Sequence, residues 1–309
     1  MADDSISVVI PTHNRRAFLA VTLNSVLRQE NVEFDVTIVD DGSTDDTAEF
    51  LQSINDPRVR FLRNEVPRGV CAARNQGITA TTGEWLAFVD DDDLWAPDKL
   101  VSQLRAAHDT GCSWVYTGAV DVDEQGRALA GTPPHPPAIV MDRLPHFDLV
   151  PGGSSGVLAS RVMVDQAGRW DPQIFLADWD LWIRLGRLGP PTWVPEPLVG
   201  YRIHGGQSSI DVDRILSDVK VIAARYGAAP DRAPLHHYIA FLCLRSGRRS
   251  RALAHFALAA LFGEPVAVAR NLSTILRLRL ARRFPPLAPR SDPQAAWKAR
   301  AASWLADLT

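Results

Sequence analysis

A chain of 309 residues, 46% hydrophobic and 22% charged, holds apolar material for one large domain or for a domain with an appendage. Its 33 Lys and Arg against 36 Asp and Glu give a net charge of -3, which excludes a globally basic nucleic-acid binder. Cys71, Cys112 and Cys243 lie far apart with no CxxC pair, which excludes a disulfide framework and a thiolate zinc site and fits a reducing cytoplasm.

The first segment, "MADDSISVVIPTHN", carries acidic residues where an export signal needs basic ones, so export by that route is not expected. From residue 6 the chain alternates short β-branched runs with helix-like segments: "ISVVIP", 15–29, "DVTIVDD", 44–54, "RVRFLRN", 70–80, "WLAFVDD", 97–109 and "SWVYTG". That alternation predicts βαβ units around a mostly parallel sheet. The runs "SVVI" and "VTIV" are apolar on both faces, as a strand between two helix layers requires, so the expected class is a doubly wound α/β fold with helices on both faces. In such a sheet the ligand crevice lies beyond the carboxyl ends of the strands. Those ends are Thr12, Asp40 with Asp41, Asn64, and Asp90 to Asp93, which places all of them along one edge. No GxGxxG follows the first strand, where the chain reads "PTHNRR", so a backbone cradle for a dinucleotide is not expected.

Residues 111–150 read as two strands joined by a turn at Glu124 to Gly126, followed by a proline-rich connecting loop, "GTPPHPPA". The first domain is expected to span residues 1–210, and 211–309 to form a helical C-terminal extension. Its longest apolar stretch is interrupted by His255, Gly263, Glu264 and Pro265 and falls short of the ~20 residues a membrane span needs. The segment "HYIAFLCLRSGRRSRALAHFALAALFGEP" looks like a helix pair of the tetratricopeptide kind, with Gly247 at the turn. Residues 270–283, "RNLSTILRLRLARR", read either as a solvated helix packed on the core or as one lying on an anionic membrane surface.

The run Asp90 to Asp93 is either a solvated acidic turn or a seat for a hard divalent cation, which favours carboxylate oxygens and substrate phosphates. An EF-hand is excluded because "DDDDLWAPDKLV" lacks Gly at its sixth position and Glu at its twelfth. In "FLADWDLWIRLGRL" the residues Leu176, Trp179, Trp182 and Ile183 share one helical face, leaving Asp178 near the helix start on another side. That aspartate is either an N-cap or a working carboxylate.

Seven stretches in this order, "VVIPTHNR", "VDDGSTDDT", "GVCAARNQGI", "GEWLAFVDDDDLW", "GGSSGVLASR", "ADWDLWIRL" and "YRIHGGQSS", resemble a family 2 glycosyltransferase with the GT-A fold. The resemblance covers roughly residues 5–210 and points to the inverting enzymes of bacterial cell-surface polysaccharide synthesis. It implies that 90–92 is a DXD motif, with Asp91 near a ribose, Asp92 on Mn²⁺ or Mg²⁺, and Asp90 in support. It implies further donor contacts through Pro11, Thr12, Asn14, Asp40, Asp41, Arg74 and Asn75, with a uracil ring against Thr12 and Asp41. For Arg74 an ion pair with a crevice carboxylate is the competing role, for Asp40 a structural one, and for Trp179 a place in the core. The resemblance assigns the catalytic base to Asp178, although the Glu that usually precedes it is Ala177 here, and makes His204 a second metal ligand. Gly153, Ser154 and Ser155 in a small-residue loop, with Trp179, are the expected acceptor contacts.

The expected activity is an inverting, metal-dependent hexosyl transfer from a nucleotide-diphospho-sugar, a UDP-sugar first, to a glycan, lipid-linked or small-molecule hydroxyl. A non-catalytic nucleotide-sugar-binding module and a nucleotidyltransferase of similar fold are the alternatives. The expected location is the cytoplasm, with peripheral contact at the inner face of the membrane through the C-terminal helices, and no nucleic-acid partner.

Overall fold

The computed structural model describes residues 4–206, 211–263, 265–269 and 294–308. Two compact units emerge, one of residues 1–144, 148–203 and 294–309, the other of 145–147 and 204–293.

The first unit follows the predicted alternation. Strand β1 (Ile6–Thr12) leads to helix α1 (Arg16–Leu27), β2 (Phe34–Asp41) to α2 (Thr47–Ser53), β3 (Val59–Asn64) to α3 (Val70–Ala80), and β4 (Trp85–Phe88) through the two-residue β5 (Leu94–Trp95) to α4 (Lys99–Thr110). Strands β3, β2, β1 and β4 pair in parallel, and Ile6, Val8, Ile10, Val36 and Ile38 lie in one core cluster with Leu19, Leu23 and Val26 of α1. The register aligns Thr12 with Asp40 and Asp41 with Asn64, which sets the polar strand ends side by side. The turn after β4 is held by α1, whose Thr22 hydroxyl donates to the carbonyls of Asp91 at 3.0 Å and Asp93 at 2.8 Å.

The second half of the sheet is mixed. Strand β6 (Trp114–Val122) forms a hairpin with β7 (Ala128–Thr132) across the predicted turn, and Gly126 takes φ 78 there. Strand β8 (Val157–Ser160) inserts antiparallel between β4 and β6, and β9 (Thr192–Arg202) pairs in parallel with β6. An antiparallel insert needs no crossover helix, so the loop before β8 can lie at the sheet edge instead of on its face. The proline-rich stretch is not all loop: Pro137–Arg143 form a short helix, α5. Helices α6 (Arg161–Gln166) and α7 (Ala177–Leu188) complete this part.

The expected break at residue 210 falls in the contact pattern between Ile203 and His204, and the last residues do not belong with the helical extension. The terminal helix, Ala295–Ala306, packs on the sheet of the first unit, where Trp297, Ala301, Trp304 and Leu305 join the cluster of Val115, Val120 and Leu198. The second unit contains α8 (Val212–Tyr226), α9 (Arg232–Arg245) and α10 (Arg249–Leu261), with Gly247 at φ 71 between the last two. Residues 270–283, read above as a basic amphipathic helix, lie outside the described residues. Among the described residues no helix is long and apolar enough to cross a membrane.

Lys99, at the start of α4, is fully buried, with its ammonium 2.7 Å from Gln103 Oε1 and 3.9 Å from the Trp95 ring centroid. Burial draws its pKa well below the usual lysine range. Between that lowered value and about 10.4 the unfolded chain holds one more proton than the folded one, so stability rises with pH across the window. Urea titrations from pH 7 to 10 should show the wild type gaining stability relative to Lys99→Met; a pH-independent difference between the two would mean that Lys99 stays charged in the fold.

Candidate active site

The four aspartates do not form a bare acidic turn, because each has its own donors. Asp93 is fully buried, and its carboxylate accepts from Ser155 Oγ at 2.6 Å and from the Arg202 backbone N–H at 2.9 Å. Burial raises its pKa well above the carboxylate range, and the Asp92 and Asp90 charges add to the rise. Asp91 accepts from the Thr12 hydroxyl at 2.7 Å; burial and the Asp92 charge push its pKa to about 7 against the opposing pull of Arg15. Asp92 pairs with the Arg15 guanidinium, which also stands 3.8 Å from Asp91, and its carbonyl accepts from Arg202 Nε at 2.6 Å.

Asp90 faces the other way, toward Asp178. The two are joined by Arg74 of α3, whose Nη2 donates to Asp90 Oδ1 at 2.5 Å and whose Nη1 donates to Asp178 Oδ1 at 3.2 Å. The same Nη2 reaches Ser154 Oγ at 2.7 Å, and the guanidinium lies 4.2 Å from the Trp170 ring centroid. The Arg74 side chain is 5% exposed, whereas those of Asp90 and Asp178 are 34% and 30% exposed. A buried cation therefore links two half-open carboxylates from distant parts of the chain. Asp178 lies in the first turn of α7, and its Oδ2 accepts from the Ser154 backbone N–H at 3.2 Å. Its pKa is raised by burial, with Arg74 pulling it down and Asp90 pushing it up. The N-cap of α7 is Leu176, so Asp178 is not the capping residue. Gly153 passes so close, at φ 53, that an added Cβ would meet Asp178 Oδ2 at 2.9 Å.

Several of the expected contact residues are held by bonds within the protein. Pro11 is buried inside β1, and Asp40 is fully buried, holding Ser43 N at 2.9 Å and Arg63 Nη1 at 2.7 Å. Asp41 accepts from Asn64 Nδ2, Arg68 N and Gly69 N at 2.7 to 2.9 Å, which fills its oxygens with the loop that leads into α3. Asn14, at φ 55, latches Thr44 N at 2.6 Å and Asp45 N at 3.2 Å. Asn75 closes a two-way pair with the Trp170 backbone at 2.8 and 3.1 Å. Ser154 and Ser155 are fully buried and bind the aspartates, and Trp179 is 6% exposed with its indole N–H on the Leu144 carbonyl at 2.6 Å. In this structure Trp179 is packed in the core, the competing role for an aromatic at this spacing.

His204 opens the 204–293 segment of the second unit, and its Nδ1 accepts from Gly206 N at 3.2 Å. Among the described residues no three His, Cys, Asp or Glu gather as a metal cage. Two residues escaped the sequence reading. Arg15 follows the first strand end, where the need for a counter-charge to the acidic run was the available signal. Asp148, whose Oδ1 accepts from Val150 N at 2.9 Å, has its pKa pushed to about 7, chiefly by burial and further by the Asp178 charge; nothing in "HFDLVPGG" announced it.

Residues 7–149 match the sequence profile of Glycosyl transferase family 2. The aligned segments span 21%, 35% and 50% of the lengths of the first curated relatives, so the chain covers half of them or less. One relative, the UDP-Glc:alpha-D-GlcNAc-diphosphoundecaprenol beta-1,3-glucosyltransferase WfgD of Escherichia coli, is 30% identical over 116 residues, which is 38% of this chain and 46% of that protein. The solved structure of S. aureus TarS 1-349 in complex with UDP-GlcNAc is similar at TM-score 0.60 and 18% identity, covering 83% of this chain and 74% of that one. The mannosyltransferase PcManGT from Pyrobaculum calidifontis, in complex with GDP-Man and Mn2+, is similar at TM-score 0.54 and 20% identity, covering 98% of this chain and 85% of that one. The fold of this chain is GT-A.

Proposed function

From a chain whose residues 7–149 are a family 2 glycosyltransferase domain, we propose an enzyme that transfers a sugar from a nucleotide-diphospho-sugar to an acceptor hydroxyl with inversion. The observation that carries this reading is the Arg74 bridge, because it joins Asp178, the candidate base, to the aspartate turn where the donor is expected.

In the proposed step Asp178 takes the proton of the acceptor hydroxyl while that oxygen attacks the anomeric carbon. The bond from that carbon to the diphosphate oxygen breaks on the opposite face, and the nucleoside diphosphate leaves with the bonding pair. The half-open carboxylate suits a base, since burial raises its basicity and Arg74 and Ser154 N orient it. Arg74 also keeps Asp178 ionised beside Asp90, a pair that would otherwise repel.

The donor set fits Mn²⁺ or Mg²⁺, because Asp91 and Asp92 offer two carboxylates at the sheet edge and such ions are usually completed by substrate phosphates and water. When bound there, the cation supplies charge neutralisation for the departing diphosphate. UDP is the proposed nucleotide, supported by the UDP-GlcNAc complex of the TarS neighbour, and the acceptor class is a glycan or a lipid-linked sugar, in line with the acceptor named for WfgD. Activity at the cytoplasmic face of a membrane would suit such an acceptor.

The test is donor binding by thermal shift and calorimetry with a panel of UDP-sugars and Mn²⁺. Asp92→Ala should lose the Mn²⁺-dependent part of donor affinity, with transfer reduced by at least about 100-fold. Unchanged Mn²⁺-dependent affinity in that variant would remove Asp92 from the metal site, and a wild type that binds no nucleotide-sugar would remove the reading.

A further inference from the structure

Arg15 faces the proposed metal ligand in this structure, and resting on the reading above we infer that its guanidinium is a built-in counter-ion that competes with the divalent cation for Asp92. Its Nη1 pairs with Asp92 Oδ2 and stands 3.8 Å from Asp91 Oδ1, with side-chain exposures of 20% for Arg15, 11% for Asp91 and 10% for Asp92. Two neighbouring carboxylates with so little water need a positive charge at their mouth. Arg15 supplies it from the residue that precedes α1 and sits next to the end of β1, so its reach is set by the sheet edge itself.

The geometry has a thermodynamic consequence. A cation on Asp92 and the guanidinium beside it repel each other and draw on the same carboxylate charge, so loading the cation weakens the charge-assisted bond of Arg15 and favours its displacement. A donor diphosphate offers the displaced guanidinium a new acceptor, since its planar fork matches phosphate oxygens as well as it matches carboxylate. Metal and nucleotide diphosphate therefore bind cooperatively, and Arg15 carries the coupling between them. Without a diphosphate, Mn²⁺ alone works against the ion pair; with one, the ion pair is exchanged and not lost.

The experiment titrates full-length protein with Mn²⁺ and reads the free ion by electron paramagnetic resonance, with and without UDP, for the wild type, Arg15→Met and Arg15→Lys. Arg15→Met should bind Mn²⁺ alone at least about tenfold more tightly than the wild type, the factor expected for removing one charged hydrogen bond. The enhancement of Mn²⁺ affinity by UDP should shrink in Arg15→Met by a similar factor, and Arg15→Lys should fall between the two. Near-UV circular dichroism checks that the variants are folded, and if Arg15→Met were not, Arg15→Lys would carry the test. Equal Mn²⁺ affinity in wild type and variants, with the UDP enhancement intact, overturns the inference and leaves the transferase reading standing. Tighter Mn²⁺ binding by Arg15→Met in a protein that binds no nucleotide-sugar keeps the counter-ion role and overturns the transferase reading.

Discussion

On the proposed reading, replacing Asp178 by Asn should abolish sugar transfer and leave the donor bound. The side chain keeps its size and its oxygen for the Ser154 N–H, so the loop at 3.2 Å should stay in place. The proposed base is gone, and general base catalysis of this kind is worth roughly 10²–10⁴-fold in kcat. Donor affinity, measured by calorimetry with Mn²⁺, should change little, because Arg74 still pairs with Asp90. Below the raised pKa of Asp178 the wild type should lose activity as the carboxylate takes up a proton, with the acid limb lying above the ordinary carboxylate range. Full activity in Asp178→Asn would move the base elsewhere. Asp148 is then the first candidate, since its pKa is pushed to about 7 and it feels the Asp178 charge, and Asp148→Asn is the companion variant.

The second large effect is on stability and lies at the other end of the chain. Trp297 is 7% exposed, its ring fills hollows over Gly118 and Gly131, and its indole N–H donates to the Ala119 carbonyl at 3.0 Å. An added Cβ would meet that ring at 2.4 Å on Gly118 and 2.8 Å on Gly131, so the two glycines make room for it. Trp297→Ala should therefore cost about 3–5 kcal/mol, the range for emptying a buried aromatic site. Leu253, 59% exposed on α10, is the control, and Leu253→Ala should change stability by less than about 0.5 kcal/mol. Denaturant titrations of both variants check this. A small effect at Trp297 would mean that the terminal helix is not part of the folded first unit.

Much of the site was legible because strand ends are local signals. The apolar runs of β1, β2 and β4 end in Thr12, Asp40 with Asp41, and Asp90 to Asp93, and the parallel register sets them on one edge. How each of them is held was not legible. Asp40 and Asp41 are adjacent in a strand and identical in chemistry, yet they are held by different partners, Asp40 by Arg63 of β3 and Ser43, Asp41 by Asn64 of β3 with Arg68 and Gly69 of the loop that follows. Trp179 and Asp178 are neighbours in α7, and one packs into the core while the other faces Arg74. Helical spacing alone separates those faces but does not say which is wet.

By itself the sequence determined the alternation of strands and helices, the edge on which the acidic residues gather and the family profile that residues 7–149 match, because each rests on a pattern written within a few residues. Only the tertiary structure decided what neutralises those acids. Arg15 reaches Asp92 across 77 residues, Arg74 reaches Asp178 across 104, and Trp297 reaches Ala119 across 178. Such partners are chosen by packing and by the cost of leaving a buried charge or polar group unpaired, and that choice exists only once the sheet and its helices have closed around them.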